Sequence, residues 1–167
     1  GVAMTDVDLQ TLNTFLLPDL GEVILNPNIT SGSPPPLTPS VPSIMPSPEL
    51  VPSSNYRWEY NSVRHLRMGY VLERGGFYET GEFDVISKAI YQAAIDPSTY
   101  IPSDLYFHQT VLRQTNGDVG VSFSVGTSVE SDSLFSPQFG LTYRITSTLP
   151  AAYPTVRVFI IKLLPII

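Results

Sequence analysis

The stretch that most limits the fold is residues 31–54, which read SGSPPPLTPSVPSIMPSPELVPSS. Eight of these 24 residues are proline and seven are serine. Because proline lacks a backbone N–H and fixes φ, this stretch cannot form a helix or a central strand. Pro36, Pro39 and Pro42 repeat with the three-residue period of polyproline II. We therefore predict an extended, fairly stiff arm whose apolar side chains dock, the alternative being a disordered linker.

The arm divides the 167 residues into three parts. Residues 1–30 are predicted to hold a short amphipathic helix at 6–17 and a short strand at 21–25. A helix of this length is not stable alone in water, so it needs a surface to pack on. Residues 31–54 form the arm itself. Residues 55–167 are predicted to form one body, which is large enough for a hydrophobic core.

Alternating apolar residues predict that the body is mainly β. In residues 63–74, 119–127 and 139–147 every second side chain is apolar, as in strands with one buried face. Two antiparallel sheets that bury these faces against each other satisfy the pattern. We predict an antiparallel β-sandwich, with a jelly roll as its specific form. The alternative is an α+β sheet covered by one helix.

Three further segments complete the predicted fold. Residues 84–95 carry apolar residues at helical spacing behind Asp84, a candidate N-cap, which predicts one crossover helix. Residues 105–113 are predicted as a strand that leads through Asn116-Gly117 into a hairpin. Residues 155–167 are apolar on both faces, which predicts a strand buried on both sides.

Composition and charge exclude several classes of function. The chain has no cysteine, which excludes disulfides and thiolate metal sites. Residues 1–54 contain five acidic residues and no Lys or Arg, and all nine basic residues lie from Arg57 onward. Neither part can neutralise a row of phosphates, so direct nucleic-acid binding is not expected. No run of 18 apolar residues occurs, so stable membrane insertion is not expected either.

No catalytic, metal or cofactor site is predicted, and we expect that the protein is not an enzyme. His65 and His108 are the two histidines, whereas zinc needs three or four ligands. The G-x-S-x-G and phosphate-loop signatures do not occur. A hydrolytic alternative rests on four carboxylates that are close in sequence: Glu73, Glu79, Glu82 and Asp84.

The low charge content points to assembly. Charged residues make up 14% of the chain, against roughly 25% in an average soluble protein. Surfaces poor in charge are typical of regions that a partner covers. We expect the N-terminal helix to bury against a partner and the arm to anchor in the grooves of a neighbouring subunit. The predicted contact residues are Leu9, Leu12, Phe15 and Leu16 in the helix, and Leu37, Val41, Ile44 and Met45 in the arm.

The order of helix, proline-rich arm and weakly charged β-sandwich resembles the layout of structural proteins of non-enveloped viruses. In that group, jelly-roll bodies assemble side by side and N-terminal arms lace neighbours together. Gly1 and Thr5 fit the N-myristoylation pattern G-x-x-x-[ST], which resembles the start of some viral capsid polypeptides. The apolar ending LLPII resembles a chain cut from a precursor or packed in a shell.

The resemblance implies a place in the virion and a set of partners. Many arms of RNA-virus capsid proteins are basic, whereas this arm is acidic. The chain would therefore be a capsid component or surface projection that does not bind the genome. Its partners would be copies of itself or other structural subunits.

The second hypothesis is a ligand- or glycan-binding β-sandwich on a proline-rich stalk. Exposed aromatic side chains would then bind a receptor or a glycan. The candidates are Tyr56, Trp58, Tyr60, Phe77 and Tyr78. Asn28 begins an N-glycosylation sequon, which matters only if the chain is secreted.

Overall fold

The computed structural model of the protein describes residues 18–27, 42–59, 63–87, 105–128 and 138–165. Within these ranges the chain is mainly β, with one 3-10 turn at Ser54–Tyr56 and no α-helix. All strand pairs are antiparallel. The larger sheet contains, in spatial order, β1 (Asp19–Ile24), β9 (Thr155–Pro165), β4 (Val63–Arg74), β5 (Phe77–Ser87) and β6 (Leu105–Thr115). The smaller sheet contains β7 (Val121–Ser128), β8 (Gln138–Ile145), β2 (Glu49–Leu50) and β3 (Arg57–Glu59).

The smaller sheet is built around β8. Along one edge β8 pairs with β7 over its whole length. Its other edge is shared by the two short strands, because β2 pairs with Thr142 and Tyr143 while β3 pairs with 138–140. The predicted strands 119–127 and 139–147 are therefore confirmed as β7 and β8, within a few residues at each end.

The two sheets pack face to face on one shared core. The alternate residues of β4 and β8 that the sequence predicted to be buried are all at most 1% exposed: Leu66, Met68, Tyr70, Leu72, Phe139, Leu141, Tyr143 and Ile145. Phe123 on β7 joins the sheets, since its ring centroid lies 5.9 Å from that of Tyr70 and 5.2 Å from that of Phe83. Buried apolar faces thus drive the fold, as the alternation predicted.

The strand order of the larger sheet contains the order of a Greek key. β4, β5 and β6 follow one another along the chain and lie side by side as a meander. β9 then returns to the free side of β4 after the chain has passed through β7 and β8. In a Greek key, three consecutive strands are followed by a fourth that returns to lie beside the first, as β9 lies beside β4. A jelly roll has two such units, so the jelly roll stays a prediction.

The predicted crossover helix is wrong where its first residues can be seen. Asp84 is not an N-cap, because it lies inside β5, opposite Arg67 on β4 and His108 on β6. Phe83 and Val85 are buried on the inner face of β5, and this burial of alternate residues favours a strand over a helix. Residues 88–104, including the rest of the predicted helix, lie outside the described residues.

The predicted hairpin at Asn116-Gly117 is a turn of a different kind. Asn116 and Gly117 have φ of 66° and 107°, as a tight turn requires. However, β6 pairs with β5 and β7 pairs with β8, so this turn carries the chain from one sheet to the other. A hairpin between neighbouring strands of one sheet is formed instead by β4 and β5, which are joined through Gly75 and Gly76.

The predicted two-sided burial of the last strand is also wrong. Val156 and Val158 are buried, while Arg157 between them is exposed. Ile160 is the last β9 residue that packs against the core, and residues 161–165 are exposed. The apolar second face therefore meets no other layer among the described residues.

The second half of the predicted arm belongs to the body. The backbone N–H of Met45 donates to Ile145 O at 2.9 Å, and that of Val51 donates to Leu141 O at 2.9 Å. Both side chains are buried, and Arg144 Nε donates to Met45 O at 2.8 Å. Residues 42–54 thus line the edge of β8, and the predicted boundary at residue 55 does not coincide with a boundary of the fold. Residues 28–41 lie outside the described residues.

The N-terminal strand is likewise part of the body. The short strand predicted at 21–25 is confirmed as β1, which pairs with β9 through Glu22 opposite Arg157. Leu25, directly after β1, is fully buried in the core. The predicted helix at 6–17 lies outside the described residues.

The buried side chain of Arg74 forms hydrogen bonds with two loops at one end of the sandwich. Arg74 is fully buried, and the described residues offer its guanidinium only main-chain carbonyls. Nε donates to Ala152 O at 2.8 Å, Nη2 to Ser147 O at 2.8 Å and Nη1 to Val119 O at 3.0 Å. Burial lowers the pKa of Arg74. The side chain ties the β6–β7 loop and the β8–β9 loop to the end of β4.

Candidate assembly surface

The predicted contact residues are only partly visible. Six of the eight, and the candidate lipidation site Gly1, lie outside the described residues: Leu9, Leu12, Phe15, Leu16, Leu37 and Val41. Ile44 is 55% exposed and is free to contact a neighbour. Met45 is 5% exposed and packs into the core of its own sandwich, so it is not an anchor for a neighbouring subunit.

The predicted aromatic platform does not form among the described residues. Tyr56 is fully buried and its hydroxyl donates to Gly21 O, and this burial raises its pKa to about 12. Trp58 and Phe77 are half-buried and pack against the core. Tyr78 is exposed on the outer face of β5, and Tyr60 lies outside the described residues.

The four carboxylates predicted as a hydrolytic cluster point to opposite faces of the larger sheet. Glu79 faces inward and is buried, with Tyr70 Oη donating to Oε2 at 2.8 Å and Gln114 Nε2 donating to Oε1 at 2.6 Å. Glu82 and Asp84 lie on the outer face, and Glu73 lies at the other end of that face. Such an arrangement does not place two carboxylates across one substrate bond.

Both histidines lie on the outer face of the larger sheet. His65 Nε2 is 2.8 Å from Asp84 Oδ1, so this histidine is hydrogen-bonded. Arg67 lies beside the same carboxylate, with Nη2 at 3.6 Å from Asp84 Oδ2. His108 is exposed on β6 opposite Asp84. No group of three metal-ligating side chains occurs in the part of the chain that the structure describes.

One side of the sandwich is closed by the chain itself. The edge of β8 is covered by β2, β3 and residues 42–54. The edge of β1 is covered by the 3-10 turn, where Tyr56 binds Gly21 O and Asn55 Nδ2 donates to Leu20 O at 3.4 Å. Leu20 O and Gly21 O on β1, and the edge carbonyls of Leu141 and Ile145 on β8, are therefore partnered on this side.

The opposite side, at β6, is open. Among the described strands β6 pairs only with β5, so its other edge carries main-chain N–H and C=O groups with no strand beside them. Phe123 of β7 packs against Tyr70 of β4 and Phe83 of β5, and the smaller sheet does not cover the part of β6 around Val111 and Leu112. Consequently Val111 is 46% exposed although it points to the inner side, and the bulged Leu112 is 65% exposed.

An edge of this kind can take up another strand. Natural sheets protect exposed edges with Lys, Pro, bulges or a covering segment. β6 contains neither Lys nor Pro, and its bulge at Leu112 leaves the stretch Leu105–Val111 regular. The sequence could not reveal this surface, because edge status depends on strand order. The partial signal is that residues 105–111 alternate yet contain no Asp, Glu, Lys or Arg.

The described residues contain no helix that is long and apolar enough to cross a membrane. No protein-family model, curated protein or solved structure matches this chain.

Proposed function

We propose that this protein is a structural subunit that assembles with copies of itself or with other structural subunits. The resemblance to structural proteins of non-enveloped viruses gives the setting of the proposal, a virion in which the chain is a capsid component or surface projection. The jelly-roll form that this resemblance implied stays part of the proposal, and the Greek-key order of β9, β4, β5 and β6 supports it.

The observation that carries the proposal is the difference between the two sides of the sandwich. One side is closed by residues 42–54 and the 3-10 turn, while the other presents an 11-residue edge strand with exposed apolar side chains. An exposed edge strand can pair with another chain. An edge that the chain itself leaves uncovered is therefore expected where a partner pairs with it in the assembly. Exposed Ile161, Leu163 and Leu164 on β9 add apolar surface to the same sheet.

The other hypotheses receive less support from the described residues. A hydrolase needs a facing pair of acid and base, and Glu79 is separated from Glu82 and Asp84 by the sheet. A glycan platform needs several exposed aromatic rings, and of the proposed set Tyr78 is the exposed one that the structure describes. The N-terminal helix and residues 28–41 stay part of the proposal as further contacts with neighbours.

The test is the mass of the full chain in solution, measured by light scattering on a sizing column over a roughly 100-fold range of concentration. A discrete multimer, or a mass that rises with concentration, is the expected result. A monomer at every concentration would overturn the proposal. A second sample should lack residues 1–17 only, because deletion to residue 54 would also remove β1, Leu25, Met45 and Val51 from the fold.

A further inference from the structure

We infer that the open edge of β6 pairs with the β6 edge of a second copy, antiparallel and about a two-fold axis that passes through His108. This inference rests on the proposed function and names the partner and register of the contact. The pairing would join two five-stranded sheets into one continuous ten-stranded sheet. An isologous contact of this kind uses the same surface on both copies.

The limits of the regular stretch fix the register. β6 begins at Leu105, and the bulge at Leu112 ends the regular ladder after Val111. Two copies of Leu105–Val111 pair along their whole length only when the central residue, His108, lies opposite itself. Any other register shortens the ladder or runs it into the bulge, which twists and bends a strand.

The side chains in this register suit one another. On the inner side, Leu105 faces Val111 of the second copy and extends the apolar layer, while Phe107 faces its Gln109, whose amide donates to Tyr70 Oη of its own chain. On the outer side, Tyr106 faces Thr110 of the second copy. Aromatic residues opposite β-branched ones are favourable cross-strand pairs.

Charge favours a second copy over a charged partner. A strand that pairs with itself brings like side chains together near the axis, so any fixed charge there would repel its own counterpart. Leu105–Val111 contains no Asp, Glu, Lys or Arg, and the residue at the axis is His108. Arg113, the nearest fixed charge on this strand, lies beyond the bulge.

The part of β6 around Val111, which the smaller sheet leaves uncovered, gives room for the second copy. In this arrangement both smaller sheets lie on the same side of the joined sheet. Since Phe123 positions β7 over β4 and β5, two β6 strands separate β7 of one copy from β7 of the other. Strand pairing would also cover the inner side of Val111, which the smaller sheet leaves exposed.

The absence of cysteine from the chain makes a direct test possible. Single-cysteine variants of the full chain would be made at three outward-facing β6 positions, as Tyr106→Cys, His108→Cys and Thr110→Cys. Directly opposite residues in an antiparallel pair have Cα atoms about 4.5–5.5 Å apart, within the span of a disulfide. In the proposed register, two copies of position 106 or of position 110 are offset by four residues, about 13 Å. Val71→Cys, exposed on the same face but on β4, is the matched control.

Each variant would be oxidised at a concentration where the unmodified chain is multimeric, and the dimer would be measured on a non-reducing gel. We expect about tenfold more disulfide-linked dimer from His108→Cys than from the other three, with the dimer lost on reduction. Equal cross-linking of His108→Cys and Val71→Cys would overturn the pairing of β6. Preferential cross-linking at position 106 or 110 would overturn the register.

The same experiment separates the two proposals. If light scattering finds the unmodified chain monomeric, the proposed function fails, and this inference fails with it. If the chain is multimeric but His108→Cys does not cross-link, the assembly uses another surface, such as the edge of β7, and only this inference fails.

Discussion

Replacing Arg74 with methionine should destabilise the protein more than any other single loss of charge among its described arginines. Arg74→Met keeps an unbranched apolar side chain of similar length and removes the guanidinium. Three carbonyls, at Val119, Ser147 and Ala152, then lose a donor 2.8–3.0 Å away. The loops that those carbonyls belong to would lose the group that holds them to β4.

The size of the effect follows from opposing contributions. A hydrogen bond to a charged group contributes about 1.5–3 kcal/mol, so three of them contribute about 5–9 kcal/mol. Removing the guanidinium also relieves the desolvation of a buried charge, which offsets several kcal/mol. We expect the free energy of unfolding to fall by about 3–5 kcal/mol, because each carbonyl left without a donor costs about 1–3 kcal/mol and the relieved desolvation offsets part of the sum. Domains are stable by about 5–15 kcal/mol, so this is a large fraction of the whole.

Urea unfolding followed by tryptophan fluorescence is a suitable assay. The chain has one tryptophan, Trp58, which packs against the ring of Phe139 at 5.6 Å and will report loss of the core. Arg157→Met is the control, because Arg157 is exposed and forms a surface ion pair with Asp19 at 3.0 Å. Such a pair is worth about 0.2–1 kcal/mol.

Arg74→Lys tests whether the forked shape of the guanidinium matters. It keeps the charge, but one ammonium group cannot reach three separate carbonyls on two loops, so we expect most of the loss to remain. If Arg74→Met were within about 1 kcal/mol of Arg157→Met, the argument from the buried carbonyls would be refuted. If Arg74→Lys matched the unmodified protein, the charge rather than its geometry would be the stabilising element.

Two further predictions concern the core. Met45→Ala should lower the free energy of unfolding by about 2–4 kcal/mol in the urea assay, because Met45 is buried. Ile44→Ala should change it by less than about 0.5 kcal/mol, because Ile44 is exposed. Equal effects of the two substitutions would mean that residues 42–54 do not pack on the body. Burial raises the pKa of Tyr56 to about 12 and that of Tyr143 further, so both hydroxyls keep their protons in the folded chain after the unfolded chain has lost them. This contribution to stability is present below pH 10, the ordinary tyrosine pKa, and should be lost above it by about 1.4 kcal/mol per pH unit for each group. Urea midpoints at pH 9 to 11.5 measure it, and Tyr143→Phe should make the fall shallower; an unchanged slope would contradict the assignment.

Side-chain alternation predicted the strands, because it is a local property. The inner residues of β4 and β8 were identified from the sequence, since burial of one face imposes a period of two whatever the strand order. The same reasoning failed at 84–87, where Ile86 fits both periods. Four residues are too few to separate a strand from a helix turn, and the outcome was decided by Phe83 and Val85 packing on the core.

Strand order and docking could not be predicted in this way, because they depend on distant residues. The prolines in 42–54 argued for a free arm, yet proline only excludes its own N–H from pairing. Met45 and Val51 lie between prolines and supply two main-chain donors to carbonyls on the edge of β8, beside the ladders of β2 and β3. The open edge of β6 could not be predicted for the same reason. It depends on the strand order, in which β5 is the one described strand that pairs with β6.

The position of β9 inside the larger sheet has a consequence for the order of folding. β9 follows every other described strand along the chain, yet it lies between β1 and β4 and pairs with both. Glu22 and Arg157, which face each other across β1 and β9, are separated by most of the chain. Contacts between such distant residues form slowly, because a long loop must close before they bring any gain. Until residues 155–165 have been synthesised, β1 and β4 both lack the strand that pairs with them in the folded chain. An unpaired edge of this kind can pair with another chain.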